Sequence, residues 1–98
     1  MSQEIAHRGD IIPPSDVPFS KLTVQQRDLV LTEIAKTLHY RALVSKAVKD
    51  RGAQHMDALA SKIDQEHEAL AADYSDKAGE VVLRAVQLLD NFERRMMS

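Results

Sequence analysis

The 98-residue chain has no cysteine and no tryptophan, three glycines and three prolines, and only two Phe and two Tyr. Without cysteine there is no disulfide scaffold and no thiolate metal site, which suits a reducing compartment. So little glycine and proline excludes collagen-like and low-complexity classes. No apolar run approaches the roughly 20 residues that a membrane-spanning helix needs. Neither charge sign is in excess. Thirteen Lys+Arg stand against fifteen Asp+Glu, for a net charge of −2, whereas a protein built on nucleic acid needs clustered surplus cations. The stretch Met1–His7 lacks the basic and apolar regions of a secretory signal. Together these absences lead to the expectation of one small domain in the cytoplasm, with no membrane association.

What the chain does have is helical periodicity. Residues 1–19 hold all three prolines (Pro13, Pro14, Pro18) and Gly9, and are expected to form an extended or mobile arm. Residues 20–98 are expected to form a helical hairpin domain, with helices at about 21–51 and about 54–96. A start between Ser20 and Thr23 is marked in two ways. Ser20 as N-cap would staple Phe19 to Val24, and Thr23-x-x-Gln26 is a capping box. Gly52 reads as the residue just past the first helix, after the cations Lys46, Lys49 and Arg51.

From Met56 to Met96 an apolar stripe continues through Ile63, His67, Leu70, Tyr74, Val81, Ala85, Leu88 and Phe92 in steps of three or four. Ser75-Asp76 and Gly79 could break it, but the unbroken phase favours one long helix, bent at most near Gly79. The fold class is therefore all-α, an antiparallel hairpin with a long second helix. Charge supports the pairing, because residues 21–52 carry +4 and residues 53–78 carry −4.

Such a hairpin would leave the C-terminal end of the long helix uncovered, and a hairpin this small is marginal alone. Both points lead to a homodimer as a four-helix bundle, with the interface at Leu31, Ile34, Leu38, Ile63, Leu70 and Tyr74. A protein partner is expected on the overhanging stripe, at Val81, Ala85, Leu88, Leu89, Phe92, Arg95 and Met96. The run Phe92–Met97 adds arginine and methionine, side chains suited to adaptable interfaces.

No catalytic residue or cofactor emerges from the sequence. The leading functional expectation is a non-enzymatic protein–protein interaction module: an adaptor, a small chaperone-like binder or an inhibitor. Two alternatives compete with it. Asp64-x-x-His67 could ligate a metal in a dimeric bundle. The bases Lys21, Arg27, Lys36, Arg41, Lys46 and Lys49 could serve a nucleic-acid regulator, although they scatter around the helix. A pH-responsive group of His39, His55 and His67 near the turn is a further candidate.

Overall fold

A computed structural model describes residues 17–97 of the chain. Among the described residues, it forms three α-helices: α1 (Val24–Ala47), α2 (Ala53–Ala72) and α3 (Asp76–Met97). A single 3₁₀ turn at Phe19–Lys21 precedes them. The all-α class and the hairpin of the first two helices stand as expected. Most of the expected N-terminal arm lies outside the described residues.

Thr23 caps α1 by the expected capping box. The Gln26 N–H donates to Thr23 Oγ1 at 3.1 Å, and the Thr23 N–H donates to Gln26 Oε1 at 3.0 Å. At the other end the helix stops at Ala47, short of the expected Arg51. Lys49 takes the left-handed conformation (φ 61°) that Gly52 was expected to supply. The Asp50 N–H bonds Ser45 O and the Lys49 N–H bonds Lys46 O, which is the Schellman closure. Gly52 serves a different purpose. A Cβ there would lie 2.3 Å from Arg95 Nη2 and 3.0 Å from Asp50 Oδ2, so a side chain at this position would have to displace the Arg95 guanidinium from Asp50.

The expected long helix over 54–96 is broken at residues 73–75. Asp73 accepts the Ser75 N–H at 2.8 Å, and Ser75 Oγ accepts the Lys77 N–H at 3.3 Å. These local bonds stop one helix and cap the next. The stripe also slips at the break. Buried Met56, Ile63 and Leu70 are seven apart, as are Ala78, Ala85 and Phe92, but Leu70 and Ala78 are eight apart. Counting in steps of three or four absorbs that extra residue without trace.

The break turns the chain back, and α3 runs up the hairpin to end beside the α1–α2 connection. There, Arg95 Nε lies 2.5 Å from Asp50 Oδ1 and Arg95 Nη2 lies 2.8 Å from Asp50 Oδ2. The same carboxylate accepts Ser45 Oγ at 2.7 Å and the Gly52 N–H at 3.0 Å. The Arg95 guanidinium holds the Asp50 carboxyl well below the usual carboxylate range. The architecture is thus an up-down-up bundle, and the expected overhang disappears because α3 covers the hairpin from which it was thought to project.

Small side chains at Ala35, Ala42, Ser45, Ala60 and Ala71 let α1 and α2 approach closely, with Leu31, Leu38, Met56 and Ile63 fully buried between the helices. α3 inserts Ala78, Ala85 and Phe92 into the same core and contacts the hairpin less extensively.

Candidate functional site

Three places concentrate chemistry: a buried arginine at the base of the bundle, a histidine–carboxylate seam along the hairpin, and the outer side of α3.

Arg27 shares the core stripe of α1 and is 1% exposed. Its Nε donates to Ala71 O at 2.8 Å, and Nη2 donates to Leu70 O at 3.4 Å and to Asp73 O. These carbonyls lie at the end of α2, where Leu70 O also accepts the Asp73 N–H at 3.3 Å. The guanidinium lies 4.7 Å from the centroid of Phe19 and 4.3 Å from that of Tyr74, within cation–π range of both rings. Tyr74, expected at a dimer interface, forms one jaw of this clamp and is 60% exposed.

Along the seam, Asp64 and His67 part company. Asp64 Oδ2 lies 2.7 Å from His39 Nε2, while Asp57 Oδ1 lies 3.3 Å from the opposite ring nitrogen of His39. His67 Nδ1 bonds Asp28. A ring holding one carboxylate on each nitrogen is arranged as an imidazolium donating twice, and the carboxylates do not converge on a shared point. Among the described residues, no group of three or more His, Asp or Glu side chains is placed to hold a metal ion. His55 is exposed and lines a separate cleft with Arg51, Arg84 and Asn91, so the three histidines form no single cluster.

Both seam histidines titrate above the ordinary 6.5, His39 chiefly through its bond to Asp64 and His67 chiefly through its bond to Asp28. Protonation is therefore favoured in the folded chain. Stability from these pairs is complete below pH 6.5 and is lost as pH rises through the raised values. The melting temperature is expected to fall across that window, and the double variant His39→Gln/His67→Gln should flatten the slope. Calorimetry from pH 5 to pH 9 checks this, and an unchanged slope in the double variant would refute it.

The expected interaction residues are largely internal. Leu31, Leu38, Ile63 and Leu70 lie in the core of a single chain, and Ile34 packs against it half-buried. Of the expected partner surface, Ala85 and Phe92 are buried, and Val81, Leu88 and Leu89 pack against the core. Arg95 is tied to Asp50. Met96 alone of that set is substantially open, at 45%. Among the bases, Arg27 is buried, Lys36 pairs with Glu33, and Arg41 pairs with Glu93. They share no face.

Tyr40, Leu43 and Tyr74 are comparably open elsewhere, and the most open apolar side chains of α3 lie off the expected stripe: Leu83 at 58%, Val86 at 52% and Met97 at 87% exposed. At 100° per residue these three fall on the side of α3 away from its buried row. The signal for them was present as apolar residues on what an amphipathic helix should make its polar face.

The fold and this surface define a small three-helix bundle with an apolar outer ridge. The chain matches no family model, no curated protein and no solved structure. Among the described residues, no helix is long and apolar enough to cross a membrane.

Proposed function

We propose that the chain is a non-enzymatic protein–protein interaction module, acting as an adaptor, small chaperone-like binder or inhibitor through the outer ridge of α3. The observation that carries this reading is Leu83 and Val86, one turn apart in water on a helix whose opposite row already fills the core, with Met97 on the same side beyond the charged Asp90 and Glu93. Single exposed apolar residues are ordinary, but neighbours at i and i+3 on one helix face are the anchors that groove-binding partners recognise. Methionine at the end adds an adaptable contact. The polar chemistry elsewhere supports the same reading, since Arg27, Asp50, His39 and His67 are each occupied in joining helices.

Leu83→Asp tests it. The far-UV spectrum and melting curve should match the parent, because the side chain touches solvent, while capture of a partner from the native cell should weaken roughly tenfold or more. Unchanged capture by this variant would overturn the reading.

A further inference from the structure

α1 carries a second row beside its core stripe: Val30, Ile34, Thr37, Arg41, Val44 and Val48, spaced alternately four and three. α3 carries a row of the same spacing: Val82, Val86, Leu89, Glu93 and Met96. Such alternation keeps a row on one side of a helix. The two helices run in the same direction, and Arg41 Nη2 lies 3.7 Å from Glu93 Oε2, which sets their levels. Val30 then stands level with Val82, Ile34 with Val86, Thr37 with Leu89, and Val44 with Met96.

This double row is only partly covered within one chain. Val48 and Val86 are 53% and 52% exposed, and Ile34, Val44, Val82 and Leu89 are half-buried. Its one charged level is the Arg41–Glu93 pair, with side chains 38% and 56% exposed.

The rows are self-complementary under one particular symmetry. A two-fold axis parallel to the helices lays α1 of one copy over α3 of the other at equal height. Apolar levels then meet apolar levels, and Arg41 meets the second copy's Glu93, closing a ring of four alternating charges. An antiparallel two-fold instead lays α1 on α1 and, even centred to match the apolar levels, brings the two Arg41 side chains roughly one helical turn apart, a like-charge contact. Closed two-fold pairing is the common form of homo-oligomer.

We infer that the chain forms a parallel two-fold dimer through the α1–α3 face, with Arg41 of each copy paired to Glu93 of the other. This rests on the contact-module reading in naming one partner of that module; of its outer residues, Val86 belongs to the double row while Leu83 and Met97 lie outside it.

Sedimentation equilibrium of the full chain at tens of micromolar, with folding checked by circular dichroism, provides the test. The parent should be a dimer. Arg41→Glu and Glu93→Arg should each weaken dimerisation roughly tenfold or more through like charges in the ring. An equimolar mixture of the two variants should restore a heterodimer. Mixing cannot mend the pair inside either chain, so rescue reads the intermolecular contact alone. A monomeric parent, or a mixture without rescue, would overturn the inference. Orientation is read by oxidative cross-linking. Val44→Cys mixed with Met96→Cys should form a disulfide-linked pair, and preferential linkage of Val44→Cys to Ile34→Cys would overturn the parallel arrangement. If the parent is monomeric while Leu83→Asp still loses its captured partner, the dimer fails and the module reading stands. If the dimer forms and Leu83→Asp captures normally, the reverse holds.

Discussion

Arg27→Ala is expected to destabilise the chain by about 2–5 kcal/mol, the summed cost of unpaired backbone carbonyls and a lost cation between two rings. Two contributions add. The carbonyls of Ala71 and Asp73 lose the guanidinium that bonds them, while Leu70 O keeps the Asp73 N–H, and unsatisfied buried acceptors are costly at about 1–3 kcal/mol. The cation between Phe19 and Tyr74 also vanishes, at about 0.5–2 kcal/mol for such contacts. Against a total stability of roughly 5–10 kcal/mol for a domain of this size, that leaves a marginal fold. Urea denaturation followed by circular dichroism measures it. Arg27→Lys should recover only part of the loss, because an ammonium cannot span three carbonyls in one plane. A loss under about 1 kcal/mol in Arg27→Ala would show that water replaces these bonds at little cost.

That arginine also shows how far the sequence could be read. The all-α class, the capping box at Thr23 and the pairing of the first two helices rest on local signals: hydrophobic period, cap chemistry and a short connection. They carry over to the structure. Arg27 lies in phase with Leu31, Ala35 and Leu38 on the buried stripe, yet its charge placed it with the surface bases. A cation in the core is intelligible only once a helix end and two rings are known to surround it, and residues 19, 27 and 74 meet only through tertiary folding. The same holds for the histidines. Hairpin register depends on how many residues the connection leaves unwound, and five between Ala47 and Ala53 do so. Asp28 and Asp57 therefore became partners that spacing from Gly52 did not indicate.

The misplaced surface has one root as well, the reading of residues 54–96 as a single rod. A rod projects beyond its partner and needs a cover, which made Phe92 and Met96 equivalent partner contacts. A broken helix folds back, and the two residues separate. Phe92 faces the core and Met96 faces water for nearly half its area. On that rod Val86 and Met97 count with the projecting end, but Leu83 does not, because it lies opposite the dominant stripe.

This separation yields the second large effect. Phe92→Asp is expected to abolish cooperative folding, whereas Met96→Asp should leave the melting curve nearly unchanged at concentrations low enough to keep the chain monomeric. Phe92 is 2% exposed; deleting a buried phenylalanine costs about 3–5 kcal/mol, and placing an unpaired carboxylate in its cavity adds a further desolvation cost. The loss also spreads along α3. Arg95, one turn beyond Phe92, reaches Asp50 only while that helix stays docked, and undocking strands a carboxylate that also receives Ser45 and Gly52. Because α3 contacts the hairpin less than α1 and α2 contact each other, it has little else to hold it. Thermal melts of the two variants, with Phe92→Leu as the smaller but still apolar control, decide the matter. A cooperative transition in Phe92→Asp near that of the parent would mean that the last two turns of α3 are not part of the core, and the ridge assigned to Leu83 and Met97 would then need to be drawn again from the other side of the helix.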